Sequence, residues 1–252
     1  MKAYIINLPD REHSRLHAAM MQTELLDYGI DAELFDGVPG DRAVRRLAKD
    51  QRICWPYNIK TSIVEADELQ KYIVPELWNE FQQDYFYKIF QRKPVGSDAI
   101  KYARPGVLGC FYSHLDLWQR CADLDEPIMI FEDDVNFYRG WMPVDWRDVL
   151  ILSLGKTTFL EEPWKTYLEN PSGPIQPMPY TNYSMPGTSG YAIKPAAARK
   201  LIKTYRGFYL ASDNAINQSV CEIEIHNYLM GRNTTEEEGN ISMVSTKEWE
   251  CK

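Results

Sequence analysis

The sequence has no apolar run long enough to cross a membrane, and no hydrophobic leader precedes its first apolar segment. Its five cysteines are scattered, without the paired spacing of zinc or redox motifs, which is typical of reduced thiols. The net charge of −8 disfavours broad contact with nucleic acid or anionic membrane. We therefore expect a cytoplasmic protein without integral membrane contact.

The pattern of apolar residues predicts an α/β protein. The 252 residues, 44% of them apolar, are enough for one large domain spanning 1–252. Residues 3–8, 14–27 and 31–35 have the pattern of a strand, a helix and a second strand, which is the opening unit of a parallel sheet. Further along, Ser113 is predicted to be the N-cap of a helix that runs to about residue 123.

Residues 41–104 differ from the rest of the chain because they are rich in aromatic residues at helical spacing. We predict that they form a mainly helical insertion. The end of this stretch, 85–104, also carries lysines and arginines among its aromatic rings. It is interpreted either as ordinary helix surface, which buries rings and solvates charges, or as an acceptor-binding region.

One apolar segment ends abruptly in three adjacent carboxylates. Residues 127–131 have the character of a buried strand, and Glu132, Asp133 and Asp134 follow directly. Ligands of open α/β sheets bind beyond the carboxyl ends of the strands. If the strand alternation continues, Glu132 and Asp134 share one face, and their oxygens suit a hard divalent ion such as Mg²⁺ or Mn²⁺. A solvated acidic turn is the alternative interpretation.

Several motifs in one order give the chain a family resemblance. It resembles glycosyltransferase family 25, which includes lipooligosaccharide and collagen galactosyltransferases. The resemblance covers most of the chain except 41–104 and the residues beyond about 215. It rests on Ile5-Ile6-Asn7-Leu8, Phe35-Asp36-Gly37, Gly109-Cys110-Phe111-Tyr112-Ser113-His114 with Trp118, Glu132-Asp133-Asp134, Asp148 to Gly155, and Gly187-Thr188-Ser189-Gly190-Tyr191-Ala192-Ile193.

The resemblance implies a fold and a reaction. The fold is GT-A type, a Rossmann-like and mostly parallel sheet with helices on both faces. The reaction is a metal-dependent, inverting transfer of a sugar from a nucleotide-sugar, expected to be a UDP-sugar, to a hydroxyl acceptor. The implied cofactor is Mn²⁺ or Mg²⁺.

The resemblance also implies roles for particular residues. Asp134 is expected to bind the metal directly, Glu132 to act through water or the donor ribose, and His226 to complete the metal shell. Asp213 is the first candidate for the catalytic base, with an N-cap role as its alternative, and Asp148 is the second. The expected donor-binding residues are Asn7, Leu8, Arg11, Ser113, His114, Glu132, Asp133, Gly187, Thr188 and Gly190.

Other functions use the same residues. A metal-dependent phosphohydrolase or nuclease would employ these carboxylates, although the sequence offers no second acidic cluster for a second metal. A catalytically inactive sugar-binding protein is a further alternative. For the acceptor, we rank a saccharide first, a nucleic acid such as hydroxymethylated viral DNA second, and a hydroxylated protein side chain third.

Overall fold

The computed structural model describes part of the chain. The described residues are 1–50, 53–54, 105–154, 176–177, 189–206, 208–209, 211–218, 220–225 and 230–233. Most of the predicted insertion, 41–104, lies outside them.

Strands and helices alternate through the described residues. The strands are β1 (Lys2–Asn7), β2 (Ala32–Asp36), β3 (Ile53–Cys54), β4 (Ile128–Glu132), β5 (Val135–Phe137), β6 (Val149–Leu154), β7 (Gln176–Pro177), β8 (Gly190–Ile193), β9 (Phe208–Tyr209), β10 (Ile223–Ile225) and β11 (Gly231–Asn233). The helices are α1 (Glu12–Asp27), α2 (Gly40–Asp50), α3 (Pro105–Leu124), α4 (Pro195–Thr204) and α5 (Ser212–Ala215). Within this part of the chain, every helix is too short or too polar to cross a membrane.

A mostly parallel sheet forms the centre of the protein. Its six central strands follow the order β2-β1-β4-β8-β6-β10, and five of them run in one direction while β8 runs against its two neighbours. Short strands β7, β11 and β5 extend the sheet beyond β10 and β6. The predicted α/β class is confirmed, and the arrangement is compatible with a Rossmann-like glycosyltransferase fold.

Helices cover both faces of the sheet, as predicted. On one face, α1 buries Ala18, Met21 and Leu25, whose spacing is that of an amphipathic helix, against the sheet. On the other face, α3 packs against α2 and α4 and buries Phe111 and Trp118. Each face of the sheet thus carries its own cluster of buried apolar side chains, and burying one large side chain of this kind contributes about 1.5–3 kcal/mol.

The start of α3 differs from the sequence prediction. The helix begins at Pro105, where proline is well tolerated, and Ser113 lies inside it rather than at its N-cap. The Ser113 hydroxyl donates a hydrogen bond to the Gly109 carbonyl oxygen, 2.8 Å away and one turn earlier. Two glycines among residues 105–112 weaken the helical signal there, which explains why the sequence pattern placed the start too late.

Gly109 permits a close contact between α3 and the loop that follows β2. A Cβ atom at Gly109 would lie 2.4 Å from the carbonyl oxygen of Val38, which is backbone and has little freedom to move away. The absence of a side chain therefore lets this loop lie directly on α3.

We expect Gly109→Ala to destabilise the protein even though alanine is the better helix former by about 1 kcal/mol. The added methyl group forces the loop and the helix apart, with a net loss of at least about 1 kcal/mol in the free energy of unfolding. Urea denaturation measures the loss. Gln119→Ala, at an exposed position of the same helix, is the control and should change stability by less than about 0.5 kcal/mol. A Gly109→Ala protein as stable as the control would contradict the close contact.

Candidate active site

The sequence motifs meet at one edge of the sheet. The parallel strands β1, β2 and β4 all end there, with Asn7 paired to Asp36 and Ile6 paired to Glu132. Strand β8 begins at the same edge because it runs in the opposite direction, and Gly190 pairs with Phe131. Segments far apart in the sequence therefore converge where ligands of such sheets bind.

Glu132 is held by two side chains of α3. Its Oε1 atom lies 3.1 Å from Nε2 of His114 and 3.5 Å from Sγ of Cys110. His114 is fully buried, whereas the Glu132 side chain is about a quarter exposed. The carboxylate therefore lies at the rim of the core, with one oxygen directed inward.

A chain of hydrogen bonds fixes the orientation of His114. The indole N–H of Trp118, which can only donate, lies 2.8 Å from the hydroxyl of Tyr191. That hydroxyl lies 2.8 Å from Nδ1 of His114 and can donate to it. Burial raises the pKa of Tyr191, so this proton stays on the phenol. With Nδ1 accepting, the Nε2–H of His114 is left to donate to Glu132.

Asp133 already lies in the turn after β4, and it points to the face of the sheet opposite Glu132. The hydroxyl of Ser14 donates to its carboxylate, and Nδ1 of His17 contacts its backbone carbonyl oxygen. The Ser14 hydroxyl also accepts the backbone N–H of Leu8 at 2.7 Å. Burial raises the pKa of Asp133. Asp133 thereby ties the loop between β1 and α1 to the acidic turn.

Asp134 and Arg11 lie on the connections beside this edge. Asp134 is partly buried in the turn between β4 and β5, beyond the end of the strand, so strand alternation does not determine its direction. Arg11 is the exposed N-cap of α1, and its backbone N–H donates to the carbonyl oxygen of Leu8 at 2.9 Å.

Two buried polar residues hold the loop that follows β2. The hydroxyl of Ser113 accepts the backbone N–H of Val38 at 2.8 Å. The amide of Asn7 donates to the carbonyl oxygen of Phe35 at 3.1 Å, and its backbone oxygen accepts the N–H of Gly37 at 2.7 Å. Ser113 and Asn7 therefore position the backbone around Asp36 at the rim of the site.

Gly190 is constrained by packing. A Cβ atom at this position would lie 2.6 Å from the ring of Phe131 and 2.9 Å from Cβ of Ser153. Only glycine lets β8 lie so close to both neighbours at this edge. The backbone N–H of Glu132 donates to the carbonyl oxygen of Ser189 at 2.9 Å, which ties the start of β8 to the acidic motif.

The structure separates the two candidates for a catalytic base. Asp213 is the second residue of α5, after Ser212, whose hydroxyl lies 3.0 Å from Sγ of Cys110. Burial is the main cause that raises the pKa of Cys110, and the charges of Glu132 and Asp213 raise it further. Because Cys110 also contacts Glu132, Asp213 directly follows a residue that lies beside the acidic motif. It is not an N-cap, because that position belongs to Ala211.

Asp148 lies at the opposite edge of the sheet. It directly precedes Val149, which pairs with Ile193 at the end of β8. Ile193 also pairs with Ile128, the first residue of β4, so this edge is the one at which β4 begins. Asp148 is buried, pairs with Lys200 and accepts the backbone N–H of Glu222 at 3.0 Å. Its observed contacts are those of a structural ion pair.

Other predicted site residues cannot be placed. Gly187, Thr188 and His226 lie outside the described residues, as does the basic and aromatic segment 85–104.

The sequence analysis did not identify Ser14, Tyr191 or Cys110 as parts of this edge. For Cys110 the sequence does contain an indication, because it precedes His114 by one helical turn and therefore shares a helix face with it. The ligating atoms of Cys110, His114 and Glu132 all lie within 4.8 Å of one another, a possible metal site.

We expect Tyr191→Phe to destabilise the fold by about 2 kcal/mol, because it leaves buried polar atoms of Trp118 and His114 without their shared partner. Chemical denaturation compares it with Tyr138→Phe, which removes a hydroxyl from a side chain that is 44% exposed. The control should lose less than about 0.5 kcal/mol. Equal stabilities of the two variants would show that the Tyr191 hydroxyl does not bridge these groups.

Comparison with protein families relates most of the chain to one of them. The family model described as glycosyltransferase family 25 (LPS biosynthesis protein) matches residues 1–216, which include every described element from β1 to α5. No curated protein sequence matches the chain significantly.

Proposed function

Since the chain belongs to glycosyltransferase family 25, we propose that it transfers a sugar from a UDP-sugar to a hydroxyl acceptor with inversion, in a GT-A arrangement. The observation that carries this proposal is the convergence of Asn7, Asp36 and Glu132 at the carboxyl edge of the parallel strands. That edge is where an open α/β sheet binds a nucleotide.

The loop between β1 and α1 is suited to the donor diphosphate. Arg11 is exposed at the N-terminus of α1, where the backbone N–H groups and the helix dipole favour an anion. Leu8 and Asn7 precede it at the end of β1. Asp133 and Ser14 fix the path of this loop through their hydrogen bond. In the proposed complex, Asn7, Leu8 and Arg11 line the nucleotide and its phosphates.

The acidic motif is chemically suited to Mn²⁺ or Mg²⁺. Both ions prefer carboxylate oxygens, which Glu132 and Asp134 supply, and His226 is the proposed third protein ligand. The hydrogen bond from His114 orients the Glu132 carboxylate, as outer contacts do in metal sites. Bound there, the ion would supply Lewis-acid stabilisation to the departing diphosphate.

Asp213 is the proposed catalytic base. An inverting transfer needs one group that takes the proton from the acceptor hydroxyl as the new bond forms. Asp213 directly follows Ser212, whose hydroxyl contacts Cys110 beside Glu132, whereas Asp148 pairs with Lys200 at the far edge of the sheet. Position therefore favours Asp213 over Asp148.

A saccharide is the proposed acceptor. The family is described by its role in lipopolysaccharide biosynthesis, in which sugars are added to growing saccharides. A nucleic-acid acceptor would depend on residues 85–104, which lie outside the described part of the chain.

Asp134→Asn should abolish sugar transfer, because it removes a charged metal ligand while keeping the size of the side chain. Product mass spectrometry with Mn²⁺ present measures the transfer, and titration calorimetry measures Mn²⁺ binding. Asp145→Asn is the control, since the Asp145 side chain is 99% exposed and pairs with Lys194. Excess chelator should stop the wild-type reaction. Full activity in chelator would refute the metal role, and donor hydrolysis without transfer to any acceptor would favour the hydrolase alternative.

Asp213→Asn should lower kcat by about 10²–10⁴-fold, because the acceptor hydroxyl loses its base. The KM for the donor should change little. Asp148→Asn should keep kcat but lower the thermal midpoint, because it weakens the pair with Lys200. Steady-state kinetics measures kcat and KM of both variants, and thermal denaturation measures their midpoints. If Asp148→Asn lowered kcat and Asp213→Asn did not, Asp148 would be the better candidate for the catalytic base.

A further inference from the structure

A thiol, an imidazole and a carboxylate converge beside the acidic motif. Sγ of Cys110, Nε2 of His114 and Oε1 of Glu132 lie within 4.8 Å of one another. We propose that these three atoms form a site for a thiolate-binding divalent ion of the Zn²⁺ class, separate from the Mn²⁺ or Mg²⁺ that the transfer reaction would use.

The distances suit such an ion. Zn²⁺ binds imidazole nitrogen and carboxylate oxygen at about 2.0–2.2 Å and thiolate sulfur at about 2.3 Å, so a tetrahedral site separates nitrogen from oxygen by about 3.3 Å and sulfur from oxygen by about 3.6 Å. The corresponding separations here are 3.1 Å between His114 and Glu132, and 3.5 Å between Cys110 and Glu132. Two of the three separations therefore already match those of a bound ion, and the third, between Cys110 and His114, is within 4.8 Å.

The surroundings hold the imidazole as metal sites do. His114 is fully buried, and its Nδ1 atom contacts the hydroxyl of Tyr191, which Trp118 fixes in turn. A zinc-bound histidine usually donates its second N–H to a partner, so the Tyr191 hydroxyl, which donates to Nδ1 in the metal-free protein, becomes the acceptor when the ion binds. Cys110 and His114 are one helical turn apart on α3, and Glu132 comes from β4, so two rigid elements supply the three ligands.

The donor set discriminates between metals. A thiolate and an imidazole favour Zn²⁺ and related transition ions, whereas Mg²⁺ and Mn²⁺ favour oxygen ligands. On binding, the Cys110 thiol releases its proton to solvent and the sulfur becomes a thiolate. The proton on Nε2 of His114 moves to Nδ1, which then donates to the Tyr191 oxygen, and the hydroxyl hydrogen of Tyr191 rotates away from Nδ1. The thiolate and the Glu132 carboxylate together balance the two charges of the ion.

Occupation of this site has a consequence that rests on the proposed function. Glu132 would be committed to the Zn²⁺ ion and withdrawn from the Mn²⁺ and donor site. Zn²⁺ should therefore inhibit the transfer reaction that Mn²⁺ supports, and the inhibition should depend on Cys110.

Co²⁺ titration of the metal-free full-length protein tests binding without reference to activity, because Co²⁺ substitutes for Zn²⁺ and a cobalt–thiolate bond gives a near-ultraviolet charge-transfer band. We expect the wild-type protein to develop this band with one equivalent of Co²⁺ and to lose it when Zn²⁺ is added. Cys110→Ser should abolish the band, and His114→Gln should weaken Co²⁺ binding about tenfold or more. Cys121→Ser, at a buried cysteine of the same helix, is the control and should retain the band. Circular dichroism checks that each variant is folded.

Two results would overturn the proposal. One is the absence of a cobalt–thiolate band in the folded wild-type protein, and the other is a band of unchanged intensity in Cys110→Ser. In a second arm, Zn²⁺ inhibition of transfer is expressed relative to each variant's own uninhibited rate, and it should be lost in Cys110→Ser but not in Cys121→Ser. A cobalt band in a protein that shows no sugar transfer would support the metal site and count against the proposed function alone.

Discussion

The directed chain of hydrogen bonds from Trp118 through Tyr191 and His114 to Glu132 is the interaction on which the candidate site depends. Each member except Glu132 is fully buried, where an unpartnered polar atom is costly, so each bond constrains the next. The chain joins α3 and β8 to the end of β4. A carboxylate at the rim of the sheet is thereby oriented by groups in the core.

Contacts with two different helices explain how the adjacent carboxylates of Glu132 and Asp133 coexist. Glu132 turns toward α3 and Asp133 turns toward α1, so the two charges lie on opposite faces of the sheet and have different partners. Ser14 and His17 connect Asp133 to the start of α1. The acidic motif thus links the two helical layers, and its sequence serves both packing and the proposed chemistry.

The sequence was sufficient for the elements with a strong local pattern and insufficient for those defined by tertiary contacts. The opening β1-α1-β2 unit and the apolar run of β4 were predicted because their periodicity is local. The antiparallel direction of β8 was not predicted. All four of its residues are buried, and a run of apolar residues does not indicate whether a strand is parallel or antiparallel to its neighbours. Ser14 was missed for a similar reason. A serine in the first turn of a helix is ordinary, and only the fold brings it to Asp133.

The reversal of β8 has an evolutionary consequence. Because β6 ends and β8 begins at the same edge, Ser153 lies beside both Gly190 and Ser189, although Ser189 comes 36 positions later in the sequence. The free energy of closing a chain between two fixed neighbours grows only with the logarithm of its length. Relatives of this chain can therefore differ in the length of the intervening stretch at little cost to this pairing, as long as β7, which lies within it, keeps its contact with β10.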